Sequence, residues 1–217
     1  MHENTLLKSM LKEAIGQLEP AHDEAVQEYE AEKKHDEIKN AIEKTRKGLD
    51  CPAWFNMDNF KPEALEGALP AIEVGKNYLL TGPPNTGKTH MACALALEMV
   101  RCGGGYAMRV FEPEFAEFYQ LHKGFRSSEV YARTEQMSRV PILVLDDMCR
   151  TFSMYPEIKN SLLNVFNRRA EKRLTNIVTS KYGYGEIIKQ YGEDFLRRVL
   201  RKEGSKENHV VLEFKKI

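Results

Sequence analysis

Leu6, Leu7, Met10, Leu11, Ala14, Ile15 and Leu18 recur at three- and four-residue steps, which predicts one apolar stripe on a short amphipathic helix ended by Pro20. From residue 21 to about residue 47 the apolar positions thin to Val26, Tyr29, Ile38 and Ile42 amid heavy charge, so a second helix is expected as a solvated arm, stopped by Gly48 and Pro52. Because this arm separates the stripe from the rest of the chain, the stripe is expected to bury against another protein. Beyond residue 51 the pattern alternates between strand and helix. Strands are predicted at 77–80, 106–111, 142–145, 176–179 and 209–214, and helices at 90–100, 113–122, 127–137, 158–172 and 184–201. The run Ile142–Leu145 is wholly apolar, as in a strand buried on both faces. This order predicts an α/β fold, a parallel sheet flanked by helices, preceded by an N-terminal helical segment. The division expected is a partner-binding segment over 1–50 and a globular domain over 51–217.

Composition narrows the class. The chain has 217 residues, 29% charged and 42% hydrophobic, with 32 basic and 32 acidic side chains. Zero formal charge excludes a polycation that coats nucleic acid by charge alone. No run approaches the roughly 18 apolar residues of a membrane span, and residues 1–17 lack the apolar centre of a signal peptide, so a cytoplasmic location without membrane partners is expected. Four scattered cysteines, with no C-x-x-C pair, are expected as free thiols. The neutral total conceals an asymmetry: residues 1–50 carry a net −4 and residues 168–217 a net +6, which points to two surfaces with different partners.

The chemistry is concentrated in two places. Gly82-Pro83-Pro84-Asn85-Thr86-Gly87-Lys88-Thr89 follows a predicted strand and opens a predicted helix. A G-x-x-x-x-G-K-T loop in that setting turns backbone N–H groups and the positive helix end onto phosphate. Gly87 lets the backbone approach, Lys88 reaches the β- and γ-phosphates, the Thr89 hydroxyl ligates Mg²⁺, and Asn85 tolerates a left-handed backbone. ATP and Mg²⁺ are the cofactors expected. The second place is the end of the apolar strand, where Asp146 is expected to hold the metal and Asp147 to orient or deprotonate the attacking water.

With these motifs in hand, the stretch TGPPNTGKTHMACALALEMV resembles the start of the AAA+ domain in the DnaC/DnaI-type helicase loaders and the related IstB-type transposition ATPases. ILVLDDM and NRRAEKRLTNIVTSKY resemble later stretches of the same group, and FLRRVLRKEG resembles the segment carrying its arginine finger. The likeness covers roughly residues 54–217. It implies a P-loop AAA+ ATPase without a C-terminal lid, with the nucleotide held by residues 82–89, by His90 of the motif and by Ser180. Arg198 falls on the finger, which would reach the γ-phosphate of a neighbouring subunit, so an ATP-dependent homo-oligomer is implied. Arg169 falls on a second recurrent arginine. The loader resemblance implies docking on a replicative hexameric helicase through the N-terminal helices.

Loaders also insert a helix that meets single-stranded DNA between the second strand and the Asp-Asp strand. Here that segment offers Lys123 and Arg126 as DNA contacts, beside several aromatics. One departure bears on turnover: the group senses phosphate with an Asn after Thr-Ser, whereas this chain has Thr179-Ser180-Lys181. A lysine donates without accepting, which implies slow hydrolysis or transfer of the polar role to Ser180. The expectation is thus an ATP-dependent helicase loader, with an IstB-like transposition ATPase or a non-hydrolysing ATP-binding adaptor as alternatives. Trp54 and Phe55 are expected to form an apolar clasp ahead of the first strand, or to pack near adenine.

Overall fold

A computed structural model describes residues 27, 29–60, 65, 71–122, 128–150, 158–200 and 209–215. Residues 29–49 are helical (α1). The chain divides into two compact units, Met1–Asn40 and Ala41–Ile217; of the first, the described residues are helical and, apart from half-buried Ile38, exposed. The apolar stripe over 6–18 lies outside the described residues.

The second unit carries β1 (Asn77–Thr81), α2 (Lys88–Arg101), β2 (Ala107–Phe111), α3 (Glu112–His122), α4 (Ser128–Arg139), β3 (Ile142–Asp146), α5 (Ile158–Glu171), β4 (Thr175–Ser180), α6 (Tyr184–Tyr191), α7 (Glu193–Leu200) and β5 (His209–Glu213). The strands form one parallel sheet in the order β2-β3-β4-β1-β5. β1, β3 and β4 are buried along their whole length. Alternation across the pleat sends their residues to two different cores. Leu79, Leu143, Leu145 and Val178 pack with Phe166, Ile187 and Phe195, while Tyr78, Leu80, Val144 and Ile177 pack with Met91, Leu95 and Met99 of α2. Both faces are therefore covered by helices, which is why the strands read as nearly continuous apolar runs.

Two expectations about helices change. The predicted helix over 184–201 is broken into α6 and α7 at Gly192, whose φ of 87° terminates α6 and whose N–H closes on the Ile188 carbonyl at 2.8 Å. The solvated arm expected to residue 47 is solvated only in part. Thr45 and Leu49, on the last turns of α1, are wholly buried, and the Thr45 hydroxyl accepts a hydrogen bond from the Ala107 N–H at 2.9 Å. That bond caps the exposed edge of β2, where an unpaired N–H would otherwise stand.

Arg169 is part of the core. It falls on a second recurrent arginine of the motif, and its side chain is fully buried. It donates to Asn176 Oδ1 (2.6 Å), to the carbonyls of Met137 and Val140 (both 2.7 Å), and to that of Thr175 (2.6 Å). Burial pushes the guanidinium down to about 9, still charged at neutral pH. Arg169 thus ties α5 to the end of α4 and to β4, and cannot reach a neighbouring subunit. The network continues through Asn176 Nδ2 to Val199 O (2.8 Å) and through Asn77 Nδ2 to Leu200 O (3.1 Å), which fixes the last turn of α7.

Arg169→Ala leaves three buried carbonyls and one amide oxygen without their donor. Each such orphan costs about 1–3 kcal/mol, so a loss of about 3 kcal/mol or more is expected from the urea midpoint. A loss below about 1 kcal/mol would show that the network is not needed to hold the fold.

Candidate functional site

The C-terminal ends of β1, β3 and β4 lie side by side, with Thr81 opposite Ser180 and Leu145 opposite Val178. In open parallel sheets this edge is where ligands bind. The β1–α2 loop crosses it in an unusual backbone conformation: Gly82, Asn85 and Gly87 have φ of 134°, 63° and 90°. A Cβ at Gly82 would stand 2.2 Å from the Phe214 carbonyl oxygen, so only glycine fits between the loop and the end of β5. Asn85 takes the left-handed conformation its residue type permits. Gly87 caps α2 without a side chain, and no acidic residue occupies the first turn. The first N–H groups of α2 therefore remain available to an anion, backed by the helix dipole.

Lys88 curls into this loop, its Nζ donating to the Pro83 carbonyl and lying 3.4 Å from Thr86 Oγ1. Burial lowers its pKa, opposed by the nearby carboxylates of Asp147 and Asp146. Pro84 and Asn85 are exposed at the tip. One residue further on, Thr89 Oγ1 donates to Asp146 Oδ1 at 2.9 Å. A hydroxyl and a carboxylate set side by side below a phosphate-binding loop are hard oxygen ligands of the kind Mg²⁺ takes. That ion is ordinarily held by one or two carboxylates plus substrate phosphates, so the residues fit it.

Asp146 is 2% exposed and heavily bonded. Its Oδ1 also accepts from Thr179 Oγ1 (2.6 Å), and its Oδ2 is held by Arg109 through Nε (3.0 Å) and Nη2 (2.7 Å). Burial would depress the Arg109 pKa, but Asp146 beside it raises it above the ordinary value. Asp147 adopts φ 58°, donates its N–H to Thr179 Oγ1 at 2.8 Å, and pairs through Oδ2 with Arg150 at 2.9 Å. A non-glycine residue held left-handed beside a ligand edge is strain of the sort found at functional sites.

Thr179 and Arg109 were not foreseen in these roles. Ser180, expected on the nucleotide side, is instead wholly buried: its hydroxyl donates to the Met148 carbonyl (2.9 Å) and accepts from the Tyr182 N–H (3.2 Å). The preceding hydroxyl, Thr179, is the one turned to the Asp-Asp pair. Lys181 is exposed, its Nζ 4.9 Å from the centre of the Tyr182 ring. Arg198 is exposed on α7 and makes no ion pair among the described residues. Lys123 and Arg126 lie outside the described residues.

His90 packs rather than pointing at the loop. Its ring stacks on Phe55 (4.6 Å, 8°), meets Trp54 and Phe60 edge-on, and its Nε2–H donates to the Asn56 carbonyl at 2.9 Å. Phe60 lies 3.5 Å from where a Gly87 Cβ would stand, and Trp54 is 57% exposed, so an aromatic wall flanks the phosphate loop. A separate cavity of about 820 Å³ runs along the free edge of β2, lined by Lys44, Lys47, Tyr106, Arg109, Phe118 and Arg133 among others, and includes none of the phosphate-loop residues.

The parallel sheet, its phosphate loop and the Thr89–Asp146 pair together define a P-loop ATP-binding protein of the AAA+ class. Residues 57–211 match the family described as IstB-like ATP binding protein, and the chain belongs to that family. It is 30% identical over 125 residues to the insertion sequence IS21 ATP-binding protein of Pseudomonas aeruginosa, covering 58% of this chain and 45% of that one. It is 36% identical over 107 residues to the insertion sequence IS1162 ATP-binding protein of Pseudomonas fluorescens, covering 48% and 43%. The chain thus spans under half the length of these curated relatives. Among solved structures, the DnaC helicase loader superposes with a TM-score of 0.53 at 18% identity, over 75% of this chain and 84% of that one, a likeness of fold. Of the two related groups the motifs resemble, the family shown is therefore the IstB-like one. No helix among the described residues is long and apolar enough to cross a membrane.

Thr179→Val removes one donor to Asp146 and the acceptor of the Asp147 N–H. A stability loss of about 1–3 kcal/mol is expected, with weaker ATP binding in fluorescence titration, whereas Thr179→Ser should retain both. Wild-type behaviour of Thr179→Val would show that the hydroxyl is not needed, and impairment of Thr179→Ser alone would show that the methyl is what matters.

Proposed function

We propose that this chain is a magnesium-dependent ATPase that assembles on DNA and works with a transposase. What supports this most directly is the 2.9 Å contact of Thr89 with Asp146 at the mouth of the phosphate loop, in a chain whose relatives carry insertion-sequence names. In this reading the loop from Gly82 to Thr89 cradles the phosphates, and Lys88 neutralises charge on the β- and γ-phosphates. Thr89 and Asp146 hold Mg²⁺, which when bound offsets the phosphate charge. Asp147 keeps Oδ1 for the attacking water while Arg150 orients its Oδ2. Trp54 offers its exposed face to adenine. Arg198, held outward by the anchored last turn of α7, completes the site of a neighbouring subunit and stabilises charge in the transition state. Turnover then requires the homo-oligomer.

A second reading, the loading of a replicative helicase, is favoured by the apolar spacing over 6–18 within an acidic segment, and by the fold shared with the DnaC loader. It places single-stranded DNA rather than duplex on the assembled protein.

Steady-state ATPase with duplex or single-stranded DNA separates these readings. Stimulation by duplex supports the transposition reading. Stimulation by single strands together with a hexameric helicase supports the loader. No turnover under any condition leaves an ATP-binding adaptor. Lys88→Ala is expected to weaken ATP binding at least about tenfold, or 1.4 kcal/mol. Arg198→Ala is expected to keep binding while turnover falls by about 10³, the effect of losing a finger in trans. Undiminished turnover would remove Arg198 from the mechanism.

A further inference from the structure

Arg109 lies on the edge strand β2, opposite Val144 of β3. Two of its nitrogens grip Asp146 Oδ2, the oxygen left over when Thr89 and Thr179 have taken Oδ1. Its third, Nη1, donates to the Asp50 carbonyl at 3.3 Å. Asp50 is the residue that ends α1, turning the chain with φ 43°. The same helix end is seated on β2 at a second place. Thr45 caps the Ala107 N–H, and Gly48 packs so tightly that a Cβ there would stand 2.6 Å from the Ala107 carbonyl oxygen.

We infer that Arg109 is a positioning residue that couples Asp146 to the C-terminal end of α1, so that the state of the nucleotide site is felt at residues 44–51. This rests on the assignment of Asp146 to the metal side in the function proposed above. The physical basis is the guanidinium itself, a rigid planar fork whose donors move together. The Arg109 side chain is 20% exposed and that of Asp146 3%, so water offers little substitute for either partner. A carboxylate that ligates a metal is oriented by such outer partners, whose loss ordinarily costs about 10–100-fold in metal affinity. Here the outer partner also holds the end of a helix. Any rotation of the Asp146 carboxylate turns the fork and shifts its third donor against the Asp50 carbonyl.

The test uses the full chain, a fluorescent ATP analogue titrated with Mg²⁺ or with EDTA, and amide hydrogen exchange with and without Mg²⁺ and a non-hydrolysable ATP analogue. In the wild type, exchange at residues 44–51 should change when both are added. Arg109→Lys keeps a charge beside Asp146 but has no fork, so it should keep magnesium-dependent affinity within about threefold, well short of the outer-partner loss, and lose the exchange response. Arg109→Gln should lose both, with affinity down by about tenfold or more. A wild-type response in Arg109→Lys, wild-type affinity in Arg109→Gln, or no response in the wild type despite magnesium-dependent binding would each overturn the coupling alone. Absence of any magnesium-dependent binding in the wild type would overturn it together with the site assignment on which it rests.

Discussion

The Asp146 carboxylate is the point on which the ATP-binding unit is assembled. It is a buried charge, and a buried charge is tolerated only when its oxygens are filled. Here the donors come from three separate elements: Thr89 from α2, Thr179 from β4 and Arg109 from β2. Each donor fixes its element relative to β3. The phosphate loop is held to the sheet edge by Thr89, and the turn after β3 is held by Thr179, which also takes the Asp147 N–H. The free edge of β2 is tied in by Arg109. One side chain thus sets the relative position of the groups proposed to bind phosphate, hold the metal and orient water, before any ligand arrives. This is the preorganisation that electrostatic catalysis requires.

A second polar knot secures the other end of the sheet. Arg169, Asn176 and Asn77 join α5, β4 and β1 to the last turn of α7. This knot has no ligand to serve, and its consequence is positional. α7 packs Phe195, Leu196, Val199 and Leu200 inward, which leaves Arg197 and Arg198 facing out. The finger role proposed for Arg198 calls for a side chain that is exposed on an anchored helix, and α7 presents it so.

The sheet and the phosphate loop were legible in the sequence because their signals are local. Apolar runs such as Ile142–Leu145 and the G-x-x-x-x-G-K-T spacing state their backbone conformation without reference to anything distant. Even the left-handed turn at Asn85 followed from residue type. What escaped depends on register between strands far apart in the chain. Arg109 meets Asp146 because β2 runs alongside β3 with Phe111 opposite Asp146, and no spacing rule contains that fact. Thr179 and Ser180 differ by a single step along β4, which exchanges one side of the pleat for the other, so motif position alone did not reveal which hydroxyl faces the site. Arg169 is a like case: a motif gives an arginine's place in the chain but not the direction or burial of its side chain. The break at Gly192 does carry a signal, a glycine followed by Glu193 and Asp194 at the start of the next helix, but the apolar period continues across it and hides it.

If Asp146 serves the nucleotide site as well as the fold, Mg²⁺ should stabilise the ATP-bound protein only while its carboxylate is present. This is tested most directly by the thermal midpoint with ATP in Mg²⁺ and with ATP in EDTA, compared between the wild type and Asp146→Asn. The amide of Asn keeps an oxygen for Thr89 and Thr179 but loses the charge and sets an NH₂ against Arg109, so a lower midpoint is expected without ligand. The wild type is expected to gain extra stabilisation from Mg²⁺, and Asp146→Asn, still folded, is expected to gain none. An equal magnesium increment in the two proteins would contradict this role of Asp146.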